Sequence, residues 1–147
     1  MNRPLNPIVI IPARLAATRF PNKPLAPIHG EPMIVQVWRR AMEAKVGPVL
    51  VAAGDQAIVD AITKIGGVAV LTNPNLSSGS DRIHAALTSY DPDRKFDAVM
   101  NLQGDLPTIE TAAVRACLEP LARPNVDIAT IGVKITRNIE RTDPNVV

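Results

Sequence analysis

Short runs of apolar, mostly β-branched residues recur along the chain and are separated by segments long enough to form helices. The runs lie at residues 8–11, 49–53, 68–71, 98–102 and 127–133. Their length and composition predict strands. The first run is apolar at every position, which is typical of a central strand in a parallel sheet that is covered on both faces.

The segments between the runs carry apolar residues at helical spacing. The first predicted helix begins at Pro32, because proline suits the first helical position, and it ends at Gly47-Pro48. Further helices are predicted at residues 56–65, 81–89 and 110–121. Strands that alternate with helices require right-handed crossovers. The pattern therefore predicts an α/β fold, a doubly wound and mostly parallel sheet with helices on both faces.

Composition indicates one globular domain over residues 1–147. The 147 residues are 46% hydrophobic and 20% charged, which is enough apolar surface for one core and argues against disorder. The single Cys117 lies in a helical pattern and is expected to be a buried free thiol. The N-terminal apolar run is short and interrupted by prolines, so it predicts a buried strand and neither a signal peptide nor a membrane span. We expect a cytoplasmic protein without a membrane partner.

Charge and aromatic content argue against nucleic-acid binding. The net charge is +2, and aromatic residues make up 3% of the chain, too few for a base-stacking surface. His29 and His84 have no Cys or His partner nearby in the sequence, which disfavours a zinc site. No Ser–His–Asp arrangement is indicated either.

The loop that follows the first strand, residues 12–25, is rich in cations. It contains Arg14, Arg19 and Lys23 together with Thr18, a set that suits a polyphosphate. A solvated basic loop is the alternative, but ligands of such folds bind at the carboxyl ends of the strands, where this loop lies. The loop contains no glycine, which disfavours a dinucleotide-binding turn and a P-loop.

Two further loops carry candidate ligands. Ser78 and Gly79 open a predicted helix, whose first N–H groups can bind a ligand's oxygens; alternatively Ser78 is an ordinary cap and Arg82 a surface cation. Asp105 follows the fourth strand and is placed to bind Mg²⁺, although its turn could equally cap the next helix.

The loop after the second strand contains a glycine followed by an aspartate. Gly54 is a candidate for the close approach of a flat ligand, because it has no side chain. Asp55 is expected to cap the helix that begins after it.

Five ordered segments closely resemble the 3-deoxy-manno-octulosonate cytidylyltransferase family of lipopolysaccharide biosynthesis. They are residues 10–14 (IIPAR), 18–25 (TRFPNKPL), 30–34 (GEPMI), 78–82 (SGSDR) and 103–107 (QGDLP). The resemblance implies a nucleotide-diphospho-sugar transferase fold and a homodimer. It also implies CTP and 3-deoxy-D-manno-octulosonate as substrates, with Mg²⁺ as cofactor.

The resemblance also assigns roles to residues of this chain. Arg14 and Lys23 are expected to bind the triphosphate and Asp105 the metal ion, and these three form the expected catalytic set. The nucleotide site is completed by Ala13, Ser78, Gly79, Arg82 and Gln103.

The chain departs from the family pattern in places. Ala17 stands where the family often has Ser, Gly54 where it often has Asp, and Leu106 where it usually has Glu. The family also continues beyond Val147 into a region with sugar contacts and a second metal-binding Asp, and we expect this nucleotide-binding domain to lack that region.

The implied reaction transfers CMP from CTP to 3-deoxy-D-manno-octulosonate and releases pyrophosphate. Two alternatives remain at this point. The chain could belong to another CMP-sugar synthetase, such as one acting on sialic acid, or it could be a truncated protein that binds CTP without turnover.

Overall fold

The computed structural model describes residues 5–16 and 19–144, which form alternating strands and helices. In chain order they are β1 (Pro7–Ala13), β2 (Pro27–Ile28), β3 (Glu31–Pro32), α1 (Met33–Ala44), β4 (Val49–Ala53), α2 (Gln56–Lys64), β5 (Val68–Leu71), α3 (Gly79–Tyr90), β6 (Ala98–Asn101) and α4 (Thr111–Leu118). Four strands form a parallel sheet in the order β5-β4-β1-β6. The strands β2 and β3 form a separate antiparallel pair.

β1 is an interior strand of the sheet, as its continuous apolar run predicts. Val9 is paired with Val49 of β4 on one side and with Met100 of β6 on the other. Ile8 and Ile10 face one side of the sheet, while Val9 and Ile11 face the other, and all four are fully buried. A strand with an apolar residue at every position is stable here because both faces are covered.

The two faces of the sheet carry different numbers of helices. Three helices, α1, α2 and α4, pack on the face of Val9 and Ile11 through residues such as Ile34, Ile58 and Val114. On the opposite face α3 packs through Ile83 and Ala86. The predicted doubly wound α/β fold is therefore confirmed.

A tight hairpin precedes α1. His29 (φ 49°) and Gly30 (φ 84°) are both left-handed, as a two-residue type I′ turn between antiparallel strands requires. A carboxylate–guanidinium contact of 2.6 Å between Glu31 and Arg39 fastens the hairpin to α1. Pro32 ends β3 and α1 begins only at Met33, so the prediction of Pro32 as the first helical residue is one position early.

Some predicted boundaries differ from those observed. The helix predicted at 81–89 begins earlier, at Gly79, because Ser78 caps it. The helix predicted at 110–121 is α-helical only over Thr111–Leu118 and continues as a 3₁₀ turn over Glu119–Ala122.

The strand predicted at residues 127–133 is wrong. In the part of the chain that the structure describes, these residues pair with no strand, and the side chains of Ile128 and Val133 are 88% and 95% exposed. Alternating β-branched residues favour a strand only where a neighbouring strand binds their backbone N–H and C=O groups.

Within the described ranges, no helix has the length and apolar character needed to cross a membrane.

Candidate functional site

Two adjoining pockets lie where loops leave the carboxyl ends of β1 and β6. The first, called here the serine pocket, has a volume of about 190 Å³ and is lined by Leu76, Ser77, Ser78, Gly79 and Arg82. The second, the lysine pocket, has a volume of about 330 Å³ and is lined by Lys23, Pro24, Met33, Gly104 and Asp105. Both pockets also include Pro12, Ala13, Arg14 and Gln103. The two pockets therefore bring together the eight residues that the family resemblance assigns to the site.

Hydrogen bonds hold both of the parts of the loop after β1 that the structure describes. Gly54 N–H donates to the Ala13 carbonyl (2.8 Å), and Leu15 N–H donates to Asp55 Oδ2 (2.7 Å). The Leu15 carbonyl accepts a bond of 3.1 Å from the N–H of Asn22, which is left-handed (φ 60°) and precedes a 3₁₀ turn that carries Lys23. Ala17 and Thr18 of the sequence motif lie outside the described residues.

Lys23 and Asp105 form an ion pair with each other. Lys23 Nζ lies 2.9 Å from Asp105 Oδ2, and the two side chains are 43% and 52% exposed. A pair this exposed contributes about 0–1 kcal/mol to folding, so both groups remain available for exchange with a ligand. Gly104 lets the turn after β6 lie close to the end of β1, since a Cβ at this position would lie 2.9 Å from the Pro12 carbonyl oxygen.

The donor set at Asp105 suits a magnesium ion that is shared with phosphate. In the described part of the chain there is no group of three or more His, Cys, Asp or Glu that could hold a metal ion by itself. Mg²⁺ is usually held by one or two carboxylates, with phosphate oxygens and water completing its shell. The single carboxylate of Asp105, beside two side-chain cations, fits such an ion only when a nucleotide supplies the remaining oxygens.

Arg82 is buried, and the alternative that it is a surface cation is wrong. The residue is 2% exposed, and its guanidinium donates to Thr72 Oγ1 (2.6 Å) and to the carbonyls of Asn73 (3.2 Å) and Pro74 (3.3 Å). Burial lowers the pKa of this guanidinium, the positive charge of Arg14 lowers it further, and the carboxylate of Asp55 opposes both effects. Arg82 is therefore a fixed positive charge at the wall of the serine pocket.

The space beside Gly54 is filled by the protein itself. A Cβ on Gly54 would lie 2.8 Å from Arg82 Nη1 and 3.0 Å from Arg14 Cβ. The predicted close approach does occur here, but the flat group that approaches is the Arg82 guanidinium and not a ligand.

The start of α3 combines a helix cap with the wall of the serine pocket. Ser78 Oγ accepts from Asp81 N–H (3.1 Å), as the capping alternative predicts. The Asp81 carboxylate accepts the hydroxyls of Ser77 (2.6 Å) and Ser78 (2.8 Å), and these bonds lower the pKa of Asp81. Capping and pocket lining are thus compatible roles for Ser78.

Gln103 lies between the two pockets. Its Nε2 donates to Asn101 Oδ1 at 2.9 Å, and the side chain is exposed. Among the described hydrogen bonds, none joins the side-chain carbonyl of Gln103 to Arg14 or Arg82. The role of Gln103 at the site therefore stays a prediction.

Sequence reasoning missed the contact between Asp55 and the loop after β1. Asp55 occupies the N-cap position of α2 as predicted, but its side chain makes no cap hydrogen bond and instead accepts from Leu15. The missed signal was the position of Asp55: an acid two residues after β4, the strand beside β1, lies next to the loop that follows β1.

Comparison with known proteins places the chain in a family. A family model described as cytidylyltransferase matches residues 8–147. The chain belongs to the cytidylyltransferase family. The predicted resemblance is therefore confirmed, and the pockets described above are those of a cytidylyltransferase family member.

Relatives of this cytidylyltransferase chain carry a more specific name. It is 61% identical to the 3-deoxy-manno-octulosonate cytidylyltransferase of Rhodospirillum centenum, over 98% of this chain and 56% of that protein. It is 54% identical to the protein of that name from Paramagnetospirillum magneticum, over 97% of this chain and 58% of that protein. The chain thus spans little more than half the length of the relatives it matches.

Two solved structures are similar in fold to this chain. CMP:2-keto-3-deoxy-manno-octonic acid synthetase complexed with CTP is 37% identical, with a TM-score of 0.70, over 79% of this cytidylyltransferase chain and 47% of that protein. A cytidylyltransferase from Leptospira borgpetersenii is 21% identical with a TM-score of 0.68, over 82% of this chain and 51% of that protein, and supports the fold alone.

Proposed function

We propose that the protein is a 3-deoxy-manno-octulosonate cytidylyltransferase, which transfers CMP from CTP to 3-deoxy-D-manno-octulosonate and releases pyrophosphate. The observation that carries the proposal is the convergence of the loops after β1 and β6 and the start of α3 on two pockets that share Arg14 and Gln103. Relatives that bear this name, and a related synthetase complexed with CTP, support it.

In the proposed reaction the anomeric hydroxyl oxygen of the sugar attacks the α-phosphorus of CTP. The bond from that phosphorus to the pyrophosphate oxygen breaks, and the hydroxyl proton is released. Such a transfer depends on positioning and on charge stabilisation more than on a protein nucleophile. Arg14 and Lys23 are proposed to bind and orient the phosphates and to neutralise the charge that develops on the leaving pyrophosphate.

Asp105 is proposed to hold Mg²⁺ together with the phosphate oxygens. Bound there, the ion would polarise the phosphate and stabilise negative charge. Lys23, which contacts Asp105 in the ligand-free chain, is proposed to transfer its contact to the outer phosphates.

We also propose that the protein is a cytoplasmic homodimer. The homodimer rests on the family resemblance, and the location rests on the N-terminal apolar run, which forms the buried strand β1. Equilibrium sedimentation of the protein tests the dimer, and cell fractionation tests the location.

The expected nucleotide preference is for CTP. In calorimetric titrations with Mg²⁺, CTP should bind more tightly than UTP or ATP. Equal affinities for the three nucleotides would contradict the proposed function, because cationic pockets alone would then explain the binding.

A turnover assay distinguishes the proposal from its alternatives. Release of pyrophosphate from CTP that depends on 3-deoxy-D-manno-octulosonate supports the proposed reaction, while dependence on sialic acid would identify another CMP-sugar synthetase. The chain spans about 56% of its relative from Rhodospirillum centenum, so binding of CTP without turnover would assign it the binding step alone.

Replacing Lys23 with alanine should weaken CTP binding more than CMP binding. The ammonium is proposed to meet the outer phosphates, which CMP lacks, so we expect a loss of about tenfold for CTP and a much smaller one for CMP. Isothermal titration of both ligands measures the difference. Lys64→Ala is the matched control, because Lys64 lies in the last turn of α2, and α2 runs away from the carboxyl edge of the sheet. Equal losses for CTP and CMP would remove Lys23 from the proposed role.

A further inference from the structure

Asp55 connects two neighbouring strands of the sheet just beyond their carboxyl ends. β1 and β4 are paired up to Ala13 and Ala53, and Gly54 N–H extends the ladder by donating to the Ala13 carbonyl at 2.8 Å. One step further, the Asp55 side chain accepts the N–H of Leu15 at 2.7 Å. The carboxylate thus takes the place that a backbone carbonyl would have in a longer strand.

The contact holds one end of the segment that carries Arg14. Ala13 is fixed through its carbonyl and Leu15 through its N–H, so both neighbours of Arg14 are held against the loop after β4. The Leu15 carbonyl also accepts the N–H of Asn22 at 3.1 Å, and the Leu15 side chain packs against the core. Arg14 lines both pockets. The direction in which its side chain leaves the backbone therefore decides where its positive charge lies.

The charges around Arg14 act against its position over the pockets. The positive charge of Arg14 acts on the buried guanidinium of Arg82, and the two repel each other. The Asp55 carboxylate attracts Arg82 and so offsets part of this repulsion. Without an anchor on the neighbouring Leu15, the loop could relieve the repulsion by moving Arg14 away from the pockets.

We propose that Asp55 is a positioning residue: its carboxylate holds the Leu15 N–H and thereby keeps Arg14 over the pockets where the nucleotide phosphates bind. The inference rests on the proposed function for the identity of the ligand. The geometry of the loop is independent of the proposed function.

The first test uses the ligand-free chain and measures amide hydrogen exchange by NMR. In Asp55→Ala the Leu15 amide should exchange at least about tenfold faster, because its acceptor is gone. In Asp55→Asn the amide oxygen can still accept the bond, so exchange should stay close to that of the unmodified chain. The amides of Ile10 and Val51 should be unchanged in both variants, which shows that the sheet has folded. Unchanged exchange at Leu15 in Asp55→Ala would overturn the inference.

The second test measures the binding of CTP in the presence of Mg²⁺ by calorimetry. Removing a carboxylate near an anion site should by charge alone tighten binding, whereas loss of an anchor should weaken it. We expect Asp55→Ala to weaken binding about tenfold and Asp55→Asn to restore most of the affinity. Asp60→Ala is the matched control, because Asp60 is an exposed acid on α2 that accepts only from Gln56 in the described contacts. Equal or tighter binding in Asp55→Ala, or equal losses in Asp55→Ala and Asp55→Asn, would overturn the role of Asp55 as an anchor.

A double variant shows whether Asp55 acts through Arg14. If it does, Asp55→Ala combined with Arg14→Ala should bind CTP no more weakly than Arg14→Ala alone. Additive losses would overturn that connection. If the unmodified chain binds no CTP, the proposed function fails, and the hydrogen-exchange test still decides whether Asp55 anchors the loop.

Discussion

Replacing Arg82 with methionine is expected to lower the free energy of unfolding by about 2–4 kcal/mol. The guanidinium is buried and donates to Thr72 Oγ1 and to the carbonyls of Asn73 and Pro74. Methionine fills a similar volume but donates to none of these acceptors. Relief of the repulsion from Arg14 offsets part of the loss, but the lost bonds include one to the buried Thr72, so destabilisation prevails.

Urea unfolding followed by circular dichroism measures this change. Arg123→Met is the matched control, because Arg123 is exposed and its loss should change stability by less than about 0.5 kcal/mol. Arg82→Lys keeps the charge but lacks the planar fork, so it should lie between the methionine variant and the unmodified chain. Stability of Arg82→Met equal to that of the control variant would show that the Thr72 to Pro74 loop does not depend on Arg82.

Replacing Asp105 with asparagine is expected to reduce Mg²⁺-dependent CTP binding by about ten- to a hundredfold. Asparagine keeps the shape of the side chain and removes the charge that would hold the ion. The stability of the ligand-free chain should change by less than about 1 kcal/mol, because the pair with Lys23 is exposed at both ends.

Calorimetry with and without Mg²⁺, together with thermal unfolding, separates the two effects. Asp93→Asn is the matched control, since Asp93 is also an exposed acid paired with a lysine, Lys95, at 3.3 Å. If Asp105→Asn unfolds the chain, or leaves the dependence on Mg²⁺ intact, Asp105 is a structural turn residue and the ion must be held by other groups.

The fold could be predicted from the sequence where burial and periodicity agree. The apolar run at residues 8–11 identified the central strand, and helical spacing identified α1 and α2 to within a few residues. The position of Arg14 could also be predicted, because the carboxyl edge of a parallel sheet follows from the order of strands and loops.

What could not be predicted depends on tertiary contacts and not on the local pattern of residues. Arg82 lies at the start of a helix, where an exposed cation is ordinary, and only the path of the loop at residues 72–74 buries it. The side chain of Asp55 makes a tertiary contact in place of the expected cap. The segment at residues 127–133 has a strand pattern, but local preference cannot supply a strand to pair with.

The order of the sheet has a consequence for how the site is assembled during folding. The loop after β1 is joined to Asp55 across 40 residues and to Asp105 across 82 residues of intervening chain. Closing such long loops costs entropy before any contact stabilises them. As the chain is synthesised from its N-terminus, the cationic loop is made early. Its partner Asp105 becomes available only after β6 and the turn that follows it have been synthesised. We expect the pockets to be among the last features of the sheet to become ordered.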